Sequence, residues 1–142
     1  MPSNTLSLDE IRALNTTAKF NTWCAFEVLS AGEGRAELAM VPRQEQLQYS
    51  GYLHAGVVSA LIDTACGFAA TTVVGLVLAS KNSVNYLRPA VGPRFVARAL
   101  VVKAGRTQVF TTCELFALDA TKESLVATGE TRLVPVPRPD QR

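Results

Sequence analysis

The chain is poor in the residues that most often announce a function. Its 142 residues include one histidine, three cysteines and one tryptophan, and its formal net charge is only +2. Because His54 stands alone and Cys24, Cys66 and Cys113 are unevenly spaced, the sequence has no CxxC pair or Cys/His cluster to hold zinc. Basic and acidic residues are interleaved and form no cationic run, which argues against a nucleic-acid partner and leaves room for a small anion. The opening MPSNTLSLDEIRAL lacks a basic segment followed by an apolar core, so it does not read as a secretory signal. A reduced, cytoplasmic protein is the expectation.

What is present is a core. Hydrophobic residues make up 48% of the chain and charged residues 18%, enough for one well-filled domain. Ser7 and Glu10 have the spacing of a capping box and predict a short helix to about Asn15. Residues 22–30 and 35–41 read as strands around the turn Ala31-Gly32-Glu33-Gly34, and a polar loop follows Pro42. A helix of about twenty residues should then end near Gly75. LASKNSVNYLRP, RFVARALVVKA, TQVFTTCELFAL and LVATGETRLVPV supply the later strands, alternating as half-buried antiparallel strands do. A polar link is expected at Asp119–Glu123. The layout is α+β, one antiparallel sheet with one dominant helix. The expected boundaries are an N-terminal helical segment over 1–18, the main domain over 19–135 and a disordered tail over 136–142.

Residues 53–70, LHAGVVSALIDTACGFAA, pose the functional question, because their single acid, Asp63, has no base nearby in sequence. From Val57 to Ser80 it is the only charge, so the run is long enough for a membrane span. The interspersed Ser59, Thr64, Gly67, Thr71, Thr72 and Gly75 favour a buried helix of a soluble domain instead, with no membrane partner. On a helix, Gly56, Ser59, Ala60, Cys66, Gly67 and Ala70 stack with Asp63, whereas Val58, Leu61, Ile62, Ala65, Phe68 and Ala69 lie opposite. The bulky face suits a sheet, and the small face lets a backbone or ligand approach the acid. Close packing, with Asp63 bonded to a neighbouring amide or hydroxyl, would explain this pattern. So would a base or nucleophile, since an unpaired carboxylate is costly to bury.

The helix entrance adds a second element. Its amides at His54-Ala55-Gly56 lack intrahelical acceptors and could cradle an oxyanion, with Gly51 and Gly56 permitting close approach. Ala55 and Asp63 are eight residues apart, about 12 Å along the axis, so one carbonyl group cannot meet both. A second, antiparallel copy across a two-fold axis would bring Asp63 of one chain beside Ala55 of the other. A homodimer with shared sites is therefore expected, with a dimer of dimers as the larger assembly.

Here the sequence resembles the hot-dog-fold thioesterases of the phenylacetate-pathway (PaaI) type. The resemblance rests on His54-Ala55-Gly56, the nine-residue spacing from His54 to Asp63, and Asn85-Tyr86-Leu87-Arg88-Pro89 downstream. Val102–Arg106 and Ala127-Thr128-Gly129 also match in order. The resemblance implies a curved antiparallel sheet wrapped around one helix, and hydrolysis of an aryl- or medium-chain acyl-CoA without cofactor. It gives Asp63 the role of base or nucleophile, the Ala55 N–H that of polarising the thioester carbonyl, and Gln48 that of orienting carbonyl or water. His54 would tie down the helix entrance. Ser80 or Ser83 could supply an assisting hydroxyl, and Arg88, Lys103 and Arg106 could meet the phosphates of coenzyme A. Alanine at 55 departs from the family's first glycine, keeping the N–H but adding a methyl group. A hot-dog hydratase or dehydratase, or a non-catalytic acyl-CoA-binding protein, are the alternatives. Cys66 has no second histidine to make it a nucleophile.

Overall fold

The computed structural model describes residues 4–137. Ser7 caps α1 (Leu8–Thr17) with a reciprocal box: Glu10 N–H donates to Ser7 Oγ at 3.2 Å, and Ser7 N–H to Glu10 Oε1 at 3.1 Å. A second helix, α2 (Lys19–Cys24), takes residues that the alternation had suggested for a strand. The reason is Ala25. Its left-handed conformation (φ 55°) lets its N–H close the helix onto Asn21 and Thr22, so the first strand begins only at Glu27. The N-terminal helical unit therefore runs to Cys24, beyond the expected boundary at 18.

The six strands are β1 (Glu27–Gly32), β2 (Arg35–Met40), β3 (Val77–Tyr86), β4 (Arg94–Ala104), β5 (Val109–Asp119) and β6 (Lys122–Pro135). They form one antiparallel sheet in the order β1-β2-β4-β5-β6-β3. The α+β layout is as expected, but the link between β5 and β6 is a two-residue hairpin turn, since Asp119 already pairs with Lys122. Of the expected tail, Val136 donates to Leu76 O at 2.9 Å and so extends the sheet's pairing, whereas 138–142 lie outside the described residues.

The central helix, α3 (Ala55–Val74), lies across the sheet and contacts all six strands. Its length and mean hydropathy of 1.7 would suit a membrane span, yet its bulky side is spent on the sheet. Leu61, Ile62, Ala65 and Ala69 are fully buried. Burial of each large side chain contributes about 1.5–3 kcal/mol, which makes this seam the main attachment of the helix. Close approach depends on Gly129 of β6, where a Cβ would stand 2.6 Å from Ile62 Cγ2. Gly75 (φ 85°) ends the helix, its N–H donating to Thr71 O. Cys66 and Ala70, expected on the small face, are instead fully buried. Gly56, Ser59, Ala60, Asp63, Thr64 and Gly67 remain as the accessible stripe.

Candidate active site

The entrance to α3 is held almost rigidly by its own chain. His54 caps the helix, Nδ1 accepting from Gly56 N–H at 2.8 Å, and its own N–H donates to Gln46 O at 2.9 Å. Gly56 is small for a local reason: a Cβ there would sit 2.9 Å from His54 Nδ1 and displace the ring. Gln46, 1% exposed, pins the preceding loop, its Oε1 accepting from Arg43 N–H at 2.8 Å. The expected cradle of three amides is thus reduced to one. His54 and Gly56 spend their N–H groups inside the protein, and the Ala55 N–H alone has no acceptor among the described residues.

Gln48 converges on the same place. Its side-chain Oε1 accepts from the N–H groups of Ser50 and Tyr52, which fixes the amide orientation and leaves the NH2 group without an acceptor among the described residues. Gln48, Ala55 and Arg88 share an entrance pocket of about 350 Å³ with Tyr52, Leu53, Val58, Tyr86, Pro89, Ala90 and Val126. The sequence pattern puts Ser59 on the small face and Tyr86 in the Asn85–Pro89 motif but gives neither a role at the site. Their hydroxyls are 2.6 Å apart, and Tyr86 OH donates to Ala55 O at 3.3 Å. The Ala55–Gly56 peptide is therefore gripped on both sides, by Tyr86 at its carbonyl and His54 at its N–H. Alternation on β3 could have signalled this, since Asn82, Val84 and Tyr86 share the face turned to the helix.

Asp63 lies two turns on, half-buried, in a separate groove of about 240 Å³ between α3, the N-terminal helices and the start of β3. No hydrogen bond or ion pair holds its carboxylate among the described residues, and burial pushes its pKa above the usual 3.8. The hydroxyls in the groove's lining belong to Thr64 and Thr71, the latter donating to Phe68 O, and neither serine suggested by the resemblance is among them. Ser80 Oγ donates to Arg132 O at 3.1 Å, and Ser83 faces the other side of the sheet, beside Lys81, Phe110 and Arg132. Cys66 turns inward against Cys113, Thr111 and Thr131, away from any substrate.

The expected phosphate contacts separate as well. Arg88 lines the entrance, whereas Lys103 stands at the end of β4 and Arg106 in the β4–β5 turn. Among the described residues no group of three metal-ligating side chains forms.

The family model described as "Thioesterase superfamily" matches residues 50–124, which span the entrance loop, α3 and β3–β5. The chain belongs to this superfamily. A thioesterase family protein from Silicibacter pomeroyi is 35% identical, with a TM-score of 0.84 over 87% of this chain and 93% of that one. Its structure identifies the α+β layout as the hot-dog fold of this superfamily. A protein of Thermus thermophilus is 28% identical, with a TM-score of 0.74 over 84% and 98% of the two chains. A curated relative in Archaeoglobus fulgidus, described as a candidate esterase, is 33% identical over 79 residues. These make up 55% of this chain and 51% of that protein, so the match spans about half the length of this relative.

Proposed function

We propose that the protein is an acyl-CoA thioesterase of the phenylacetate-pathway type, working as a homodimer in the cytoplasm with each site shared between two chains. The observation that carries this reading is the division of α3. One unspent backbone donor stands at its entrance and one unpaired carboxylate about 12 Å further along the same accessible stripe. Each is half of a hydrolytic site, and a two-fold axis between them joins the halves.

The sheet edges support the same assembly. The β1 edge is covered from within: Arg12 donates to Val28 O at 3.0 and 3.1 Å, and Asn15 to Phe26 O at 2.8 Å. The opposite edge, β3, is ten residues long and mostly exposed, and among the described residues nothing bonds its outer side. Long bare edges are templates for pairing, and a second copy would supply the missing strand.

In such a site, a water oxygen attacks the thioester carbonyl carbon while Asp63 of one protomer accepts a water proton. A raised pKa makes Asp63 a stronger base than an ordinary carboxylate. The Ala55 N–H and the Gln48 amide of the partner hold the oxyanion of the tetrahedral intermediate. The C–S bond then breaks, the departing sulfur takes the proton from Asp63, and the products are a carboxylic acid and a free thiol. Arg88 at the entrance, and Lys103 and Arg106 at the sheet's far end, are the cations for the phosphates of coenzyme A.

The test is complementation. Asp63→Asn and Ala55→Pro should each lose most thiol release from a panel of CoA thioesters. Co-expressed, they form mixed dimers with one intact site, so about a quarter of wild-type activity should return. No recovery in a verified mixed dimer would rule out shared sites. Tight binding without turnover on every thioester would leave a binding protein.

A further inference from the structure

We propose that the outer face of the sheet holds a second binding site, for a nucleoside monophosphate, with the phosphate between Lys81 and Arg132 and the base stacked on Phe110. This face is turned away from α3 and Asp63, so the site stands whether or not the protein hydrolyses thioesters.

The strand registers put four residues in one row. Lys81 of β3 stands opposite Arg132 of β6, Arg132 opposite Phe110 of β5, and Phe110 opposite Lys103 of β4. Directly opposed residues share a face, and the neighbours Thr111, Thr131 and Leu133 are buried on the helix side, so this row points outward. Two bulges make it so. Ala79 pairs with Leu133 and Val101 with Thr111, both on the inner face, and plain alternation would keep Lys81 and Lys103 there too. One extra residue in each strand, Ser80 in β3 and Val102 in β4, turns both lysines outward to the two ends of the row.

Like charges directly opposed across a sheet repel. Lys81 and Arg132 stand so with no ion pair among the described residues, and Arg132 Nε donates to Ser80 Oγ at 3.4 Å. A bound dianion removes the repulsion, and a guanidinium fork beside an ammonium suits phosphate. The rest of the pocket fits more than a bare anion. Its volume is about 370 Å³, within the range of about 300–1,000 Å³ usual for small-molecule sites. Phe110 is 43% exposed and Val102 61%, so a ring and an aliphatic side chain stand bare beside the cations. A planar base would cover them and stack on the ring. Glu130, two residues from Arg132 on the same face, also lines the pocket. Its carboxylate repels a phosphate but accepts from the exocyclic amine of a base. Cations, an aromatic ring and one acceptor together suit a base that carries an amine, as in adenosine monophosphate (AMP). Lys103 is also one of the cations named for coenzyme A, so the test leaves it in place.

The experiment is calorimetry on the intact protein with AMP, phenyl phosphate and inorganic phosphate. Wild type should bind AMP about tenfold more tightly than inorganic phosphate, the gain from stacking. Phe110→Ala should remove that gain and leave inorganic phosphate nearly unchanged. Lys81→Gln should weaken AMP about tenfold, as loss of a charged hydrogen bond does. Glu130→Ala should strengthen inorganic phosphate and narrow the preference for AMP over phenyl phosphate. Arg88→Gln, at the entrance to α3, should leave AMP binding as it is. AMP binding that Arg88→Gln abolishes and Lys81→Gln spares would place the nucleotide at the entrance and overturn the proposal. So would equal affinity for AMP and inorganic phosphate, or no binding of AMP at millimolar concentration.

Discussion

The two ends of the accessible stripe on α3 are built on opposite principles. At the entrance, nearly every polar group is already satisfied: His54 holds Gly56, Gln46 holds His54, Tyr86 holds Ala55 O, and Gln48 is anchored by Ser50 and Tyr52. A single N–H is left over. At the midpoint no group among the described residues bonds Asp63, and its groove is mostly apolar apart from Asn21, Thr64 and Thr71. The entrance is preorganised by its own chain, so it needs little rearrangement to stabilise a developing charge. The midpoint keeps its charge at a cost in desolvation, which substrate, water and a second chain would relieve. A rigid donor and a reactive base require different surroundings, and separating them along one helix lets a single fold provide both.

The sharpest way to break this contrast is Ala55→Pro. Proline is welcome at the first helical position, and His54 before it already has the extended backbone (φ −57°, ψ 136°) that a following proline requires. The change deletes one N–H and almost nothing else. Turnover should fall about 10²–10³-fold, in line with loss of an oxyanion donor, while Tm stays within a few degrees of wild type. A small effect on kcat would remove Ala55 from the chemistry.

The midpoint makes a prediction of opposite sign for stability. Because burial raises the Asp63 pKa, the folded protein binds that proton more readily than the unfolded chain does. The group's contribution to stability is full below the unfolded pKa, about 4, and is lost as pH rises through the higher folded value. At pH 7 the charged form is a burden, so Asp63→Asn should leave Tm equal or higher, and that gain should vanish in acid. Catalysis runs the other way. As a base, Asp63 must be ionised, so kcat/KM should fall on the acid side with a midpoint above the ordinary carboxylate value. A Tm that drops at pH 7 in Asp63→Asn would mean the carboxylate has a bonded, structural role.

Much of this was legible in the sequence, for physical reasons. The size pattern of α3 is a property of spacing, so Asp63's accessible side and the bulky buried side could be read directly. Capping at Ser7 and the stop at Gly75 depend on local chemistry and were equally plain. What escaped was decided by single backbone angles or by contacts across many residues. The left-handed Ala25 turned an apparent strand into α2, and nothing about an alanine announces that conformation. Gly56 looked like a donor in the cradle because sequence cannot show that the neighbouring histidine folds back onto it. The family resemblance made Ser80 or Ser83 a candidate for the assisting hydroxyl, but a register shift between Ala79 and Lys81 and the alternation of β3 carry them elsewhere.

Tyr86 offers the finest probe of the entrance, and the smallest expected effect. Its hydroxyl grips the carbonyl of the peptide whose N–H His54 holds, and it is braced by Ser59 at 2.6 Å. Tyr86→Phe keeps the ring and the pocket wall, removing only the grip. If that grip aims the Ala55 N–H, kcat should fall about three- to tenfold while KM stays constant, since only the transition state uses the alignment. Ser59→Ala should give part of the same loss, and the double variant should add little to Tyr86→Phe, because both act through one hydrogen-bonded unit. Were Tyr86 merely a wall, KM would rise instead and the two substitutions would be independent. The comparison then reduces to one peptide plane: if it must be clamped for Ala55 to work, rigidity is what the entrance contributes, and freedom from partners is what Asp63 contributes.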